Sequence, residues 1–584
     1  IAIQDNFNGV FPTINLTGSK NAFEVNEASL TKTGSNEIIN LNYTGMDTVD
    51  VKVFGNNVTW NQLNINADYT LFHSTSNFTG IQSSNRRYVG VKPGITLNCN
   101  NFVVSGNCGN LLEIHGAGGV GSVNNLGTAW NLNFISLKNI NAIGATAYNA
   151  TNSIDFGGNT NWNLTEDIGV TNYYWVGGKG NYHDPTHWSL SSNGVADLCV
   201  PGPNDVAIFD NNSGLDSLEI EKNVIIGSLD FQLVSSSIVV HGDAANVEVR
   251  NNLSGSNFLQ MDWSGDFLLT KNTLTNSITS NGVIWNNNMI KSGVSALSLT
   301  DDFSNNRNLI LNEGNIGSSG NLMRIGGFIT NTPSSLRSFD FTNSRIEILD
   351  TGFIVNSTNL VFGTLLNTGI HFKNSGYSQF RTAGLSYDTV QVENGNVEFY
   401  GATTPYKFLQ IDAGTSVILE NGSIHNCDSL KIDGTCNELI TIKSSNSAGP
   451  QAQIVKVANT STIVNSVLLD HVNAGAIGTY FALNSTLLNN SMNWLQGSAI
   501  TTASLSFTSN VNVPPGDTIT LTANLLPLPA GATILSSKLK FTGINTTAGT
   551  SINEAKVEVS GESTAAFTYL SGPAGDAVNL DAEL

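Results

Sequence analysis

Charged side chains make up only 12% of the 584 residues, about half the usual share. Lys and Arg total 25 against 45 Asp and Glu, for a net charge of −20. No Lys/Arg cluster exists, so a nucleic-acid reader, which needs a basic face, is excluded. Such a surface is also repelled by anionic lipid. No apolar run reaches about 18 residues, so no segment reads as a transmembrane helix. Helical periodicity is almost absent. Disorder is excluded too, because 40% of the chain is hydrophobic, whereas disordered chains combine low hydrophobicity with high charge.

What fills the chain instead is Asn, Ser, Thr and Gly between short runs of Val, Ile, Leu and Phe. It also copies itself. Asn141-Ala142, Asn152-Ser153 and Asn161-Trp162 recur 332 positions later as Asn473-Ala474, Asn484-Ser485 and Asn493-Trp494. Cys99 and Cys108 recur at an offset of 328 as Cys427 and Cys436. A four-residue insertion accounts for the difference. Tandem copies of a large unit suggest a protein that spans distance or multiplies contacts.

Residues 1–165 read as the C-terminal part of a repeat module, 172–497 as a complete module, and 498–584 as a separate domain. The chain opens at Ile1 without Met or a signal peptide and reads as a mature product or a piece of a longer polypeptide. The piece is preferred, because 1–165 contains no copy of the opening found at 173.

That opening is Tyr173-Tyr174-Trp175-Val176-Gly177-Gly178-Lys179-Gly180-Asn181-Tyr182-His183-Asp184-Pro185-Thr186-His187-Trp188. Asp184 is a good helix cap and Pro185 a good first helical residue. One helical turn there would set Trp188 back toward Trp175, making an aromatic cap on the module. The module ends abruptly at Asn493-Trp494, as the first does at Asn161-Trp162, so Trp162 and Trp494 are candidate terminal caps.

Between about 218 and 490 the texture is monotonous. Leu218-Glu-Ile-Glu, Val247-Glu-Val-Arg250, Val390-Gln-Val-Glu and Val397-Glu-Phe-Tyr400 are strands of three to five residues, followed by Asn-Gly, Asn-Asn or Gly-Asp turns. A parallel β-helix (β-solenoid) and a sandwich both fit. The β-helix is preferred. Its strands are short, Asn tolerates left-handed corners and stacks in ladders, and each module ends as a capped stack would. A dozen or so coils at ~4.8 Å each would make a rod of roughly 60 Å per module. In 498–584, Pro514-Pro515-Gly516-Asp517 and longer alternating strands read as an immunoglobulin-like β-sandwich. The joints near 165–172 and 495–502 lack flexible Gly/Ser tracts, so three units should lie in a semi-rigid line.

The five cysteines form two matched pairs plus Cys199. Repeated pairs nine apart suggest disulfides Cys99–Cys108 and Cys427–Cys436 in an oxidising, extracellular compartment. Two buried free thiols per module are the alternative. A zinc site lacks the other ligands it would need.

The opening, followed by Val200-Pro201 and Asp205-Val-Ala-Ile-Phe-Asp210, resembles a module of very large secreted surface proteins of Bacteroidota, as does the closing Asn152-Ser-Ile-Asp-Phe-Gly-Gly-Asn-Thr-Asn-Trp162. These include gliding-motility adhesins exported by the type IX secretion system. The resemblance covers about 1–497. Tyr182 stands where the family usually has Trp, and the second closing copy has lost its Gly-Gly. The resemblance implies an adhesive filament at the cell surface, with no catalytic residues. It implies as partners surface glycans or abiotic surfaces, other modules of the filament, and the secretion and motility machinery. It also makes Thr48, Ser217, Thr389, Ser429 and Thr518 candidates for O-glycosylation, because each follows Asp and precedes an apolar residue. Chance occurrence in a Ser/Thr-rich chain is the alternative.

Other chemistry is weakly signalled. His183 and His187 could share a helical face, but Pro185 leaves barely one turn, and a structural cap is the simpler reading. A glycan-binding or polysaccharide-degrading β-helix is the competing function; it would need carboxylates on adjacent coils, for which Asp301, Asp302 and Asp340 are the candidates. Asp210, Asn211, Asn212 and Asp216, and Asp301-Asp302 with Asn305-Asn306, offer oxygen ligands for Ca²⁺ without EF-hand spacing. Tyr173, Tyr174, Trp175 and Trp188 could form a sugar-stacking platform or a hydrophobic cap; the cap is preferred. The expected function is non-enzymatic, structural and adhesive, without a cofactor.

Overall fold

A computed structural model describes residues 59–497 apart from 85–87, 145, 167–168, 215 and 271–275, together with strands on either side. It is a parallel β-solenoid of about 20 turns. Among the described residues the one helical piece is a 3-10 turn, Pro185–His187. Residues fall into two compact units, Ile1–Ser498 and Ala499–Leu584. In the second, Lys538–Ile544 pairs antiparallel with Ala577–Glu583, and Ile552–Val559 with Ser563–Tyr569.

The alternation seen in the sequence becomes stacking. Apart from the Asn172–Trp175 and Trp188–Ser189 pair, the described strands of the first unit pair in parallel with one roughly a coil further on, so a given position stacks on its own kind. Ile39, Leu63, Ile81 and Phe102 lie in one register column, and all four are buried. Their neighbours point outward: Asn64 donates to Asn40 at 2.7 Å and Asn40 to Asn15 at 2.7 Å. Further along, Phe328, Phe353, Phe380 and Phe399 form another inward column, with successive ring centroids 5.2, 6.2 and 5.0 Å apart. Each ring excludes water from the next, worth roughly 1.5–3 kcal/mol per buried side chain. A one-residue slip would turn every such column to solvent, which sets the register.

Asn makes the corners. Asn139, Asn152, Asn281, Asn343, Asn367 and Asn484 all have φ between 48° and 61°, the left-handed region that a short polar side chain tolerates. Gly352 is required where a strand bends: its φ is 135°, and an added Cβ would lie 2.0 Å from the Gln379 carbonyl oxygen.

The strand ladder breaks once within the first unit. Among the described strands, none up to Asn163–Thr165 pairs with any from Asn172–Trp175 onward. Two separate cores result, one built from Ile39 to Ala150 and the other from Trp175 to Trp494.

The copied sequence is copied geometry. Trp162 donates to the Ile140 oxygen at 3.2 Å and packs on Tyr148 at 5.3 Å. Trp494 donates to the Val472 oxygen at 3.0 Å and packs on Tyr480 at 5.5 Å. Asn161 and Asn493 each donate to the carbonyl of the matched Ala142 or Ala474. Ser153 and Ser485 each accept from the strand amide 18 residues back. Each module thus closes with the same indole lying on its last coils.

Candidate functional site: the joint between modules

The second module begins with a compact aromatic cap. Asp184 accepts from the Thr186 amide at 3.0 Å and caps the single turn, whose Pro185 needs no donor there. The turn reverses the chain, so Trp188 pairs antiparallel with Trp175. Both indoles are fully buried, 5.0 Å apart and edge to face. Tyr182 packs on Trp188 at 5.2 Å, and the Trp188 indole donates to the backbone carbonyl of Tyr182 at 2.8 Å. His187 stacks on Trp175 at 4.6 Å, and its Nδ1 lies 2.7 Å from the Val176 oxygen. Gly180 makes room for that imidazole; an added Cβ there would lie 2.2 Å from Nε2. His187 therefore serves packing. Asn172–Trp175 then pairs in parallel with Val206–Asp210, the first coil.

From the cap, residues 190–200 reach back to the preceding module. Cys199 forms a disulfide with Cys108, 91 residues earlier. Beside it the Val200 amide donates to the Cys108 oxygen at 3.2 Å. Gly109 lies buried against Leu198 and Pro185, where a Cβ would sit 2.1 Å from the Leu198 oxygen. Two ion pairs cross the same joint: Lys222 to Glu113 at 2.6 Å, and Arg250 to Glu166, with Glu248 also holding Arg250 at 2.9 Å. The side chains of Arg250 and Glu166 are 22% and 24% exposed, so that pair is less screened than pairs on an open surface, while Lys222 is 41% exposed.

This pairing corrects the expected one. Cys99–Cys108 and Cys427–Cys436 are not bonded; Cys99, Cys427 and Cys436 are free thiols. The reason is geometric. Cys99 points into the core from the strand Thr96–Ser105, and the six extended steps from Cys99 to Ser105 carry the chain roughly 20 Å away, whereas bonded cysteines need Cα atoms within about 7 Å. Cys427 sits likewise in Ile424–Asp433. Burial pushes both thiols up to about 12.

The other candidates are spread along the solenoid. Asp301 accepts from the Ser280 and Asn281 amides, both at 2.7 Å, Asp302 from Leu322 at 2.9 Å, and Asp340 from Thr342 at 3.0 Å. Asp301 and Asp302 tie neighbouring coils together, and Asp340 closes a turn. Asp210 does the same for Asn212 at 2.9 Å. Among the described residues no group of three His, Cys, Asp or Glu is arranged to hold a metal. Ser429 is exposed, while Ser217 and Thr389 are half-buried within strands; Thr48 and Thr518 lie outside the described residues.

Sequence reasoning left Cys199 without a role and passed over Glu113, Glu166, Lys222 and Arg250. The available signal was the odd cysteine: a fifth thiol in a module opening, and a second thiol in the module before it. No protein-family model matches the chain, nor does any curated protein or solved structure.

Proposed function

We propose that this chain is a non-enzymatic, structural and adhesive segment of a large repetitive bacterial cell-surface filament. The observation that carries the reading is the joint. The cap of one module is bonded covalently to the module before it and braced by two ion pairs, which suits a chain that bears tension along its length. A stable disulfide favours an oxidising, extracellular setting. The stacked solenoid coils supply length, and 498–584 adds an immunoglobulin-like β-sandwich. Surface glycans or abiotic surfaces are the attachment targets, and the secretion and motility machinery exports and carries the filament, as the resemblance implies.

Two measurements test this. Small-angle scattering of the purified chain should give a radius of gyration clearly above the value near 25 Å of a compact protein of this length. Incubation with a panel of acidic and neutral polysaccharides should leave their chain lengths unchanged. A compact radius, or depolymerisation of any polysaccharide, refutes the stalk reading and favours a catalytic β-helix.

A further inference from the structure

Cys436 is the repeat copy of Cys108, and the loop around it keeps the same backbone. Asn107 and Asn110 exchange amide hydrogen bonds at 3.0 Å each; Thr435 and Glu438 exchange theirs at 3.1 and 3.2 Å. Gly106 donates to the Asn133 oxygen at 3.1 Å, and Gly434 to the matched Asn465 oxygen at 2.9 Å. Leu112 and Ile440 close the loop by donating to Phe134 and Ser466 at 3.1 and 3.2 Å. The two loops differ in burial. Residues 108–111 are buried or half-buried beneath the cap of the next module, whereas 436–439 are all exposed, with Leu439 50% open. Among the described residues, a cap covers the first loop and none covers the second.

We propose that the Cys436 loop is the docking site for a further module whose aromatic cap carries a cysteine at the position of Cys199, and that the two join by a disulfide. No copy of the present chain supplies that thiol. Cys199 is already bonded, Cys99 and Cys427 are buried, and 498–584 contains no cysteine. In the bond-forming step the two thiols lose two protons and two electrons to an oxidised low-molecular-weight disulfide, which leaves as two thiols. Exchange proceeds through a mixed disulfide on one partner, and an exposed thiol such as Cys436 meets its access requirement.

Two of the differences between the loops, at 437 and 441, shape the partner. Asn437 replaces Gly109, so the segment corresponding to Leu198 has to seat further out. Thr441 replaces Glu113, so the ion pair with Lys222 is not repeated. Bond formation at Cys436 should therefore be slower than at Cys108 but should not require a further mutation. The proposal is independent of what the filament attaches to.

The test supplies the missing cap. In a chain with residues 166–497 repeated once after Gly497, refolded in a glutathione redox buffer, peptide mapping without reduction should find Cys436 bonded to Cys199 of the inserted copy. The Cys108–Cys199 bond in the same molecule reports that the caps fold and that the buffer oxidises. Cys436 remaining free, or joined only to Cys436 of another molecule, while Cys108–Cys199 forms, overturns the proposal. So does a bond that appears only after Asn437→Gly. On the unaltered chain, a maleimide under native conditions should label Cys436 at least tenfold faster than Cys99 or Cys427; a protected Cys436 means the loop is not open for docking.

Discussion

Replacing Cys199 by Ser cuts the covalent link of the joint and leaves its packing and ion pairs in place. In the chain-entropy model a loop of 91 residues restrains the unfolded chain by about 4.6 kcal/mol, the expected loss when both modules unfold. The more telling event is local. With the first module folded, opening the cap frees only the stretch from Thr165, the last residue of that module's final strand, to Cys199. A loop of roughly 35 residues corresponds to about 3.8 kcal/mol. Cap opening should therefore become about 600-fold more frequent, while coils deep in each core keep their protection. Amide hydrogen exchange reads this directly, because cap amides have defined partners: Val176 donates to the His187 oxygen at 2.8 Å, Gly178 to Ser213 at 3.0 Å and Tyr182 to Glu219 at 2.9 Å. Exchange at these three should accelerate by two to three orders of magnitude in Cys199→Ser, and Cys108→Ser should match it. Acceleration below about threefold, with Cys108 shown to be free, would mean that packing alone holds the cap and that the disulfide does not restrain it.

Trp188→Ala removes a buried indole that meets Trp175, Tyr182 and Phe209 at 5.0, 5.2 and 5.6 Å and should cost about 3–5 kcal/mol; unchanged protease sensitivity across 170–210 would show that the cap does not depend on it. His425 is fully buried between Tyr406 and Ser423, at 3.0 and 2.9 Å, and burial lowers its pKa to about 4, as it does for His115 despite the opposing charge of Glu113. Because the folded pKa lies below the unfolded value near 6.5, the unfolded state binds more protons between the two. Stability should thus be fully present above pH 6.5 and fall steadily toward pH 4; denaturant titrations across this range should show a shallower slope in His425→Gln, and an identical slope would refute the assignment. At Glu347 burial opposes ionisation, yet hydrogen bonds from Lys373 and Arg324, at 2.9 Å each, outweigh it and hold the carboxyl below its usual range. Glu347→Gln leaves Arg324, Arg345 and Lys373 facing a neutral amide and should cost about 1–3 kcal/mol, checked by urea unfolding at pH 7, with no loss counting against the network.

Strand length, the Asn-rich corners and the repeat were legible because each is a local or periodic property. Val247-Glu-Val and Val397-Glu-Phe alternate because one face is buried, and Asn152 and Asn484 sit at φ 48° because few other side chains tolerate that corner. The aromatic opening was legible for the same reason: Asp184, Pro185 and the glycines act within a dozen residues of one another. Disulfide pairing was not, and neither were the ion pairs of the joint. Cys99 and Cys108 are close in sequence but held apart by one extended strand, whereas Cys108 and Cys199 are 91 residues apart and meet only when a second module seats on the first. Glu113 and Lys222 likewise share no sequence pattern. The amino-acid sequence by itself determined a repeated, short-stranded all-β chain, since its period-two alternation buries one face of each strand and fits a solenoid or a sandwich, with the short strands and Asn-rich corners favouring the solenoid. Only the tertiary structure decided which thiols pair and where the modules join, because those contacts depend on how two separately formed cores come to lie against each other.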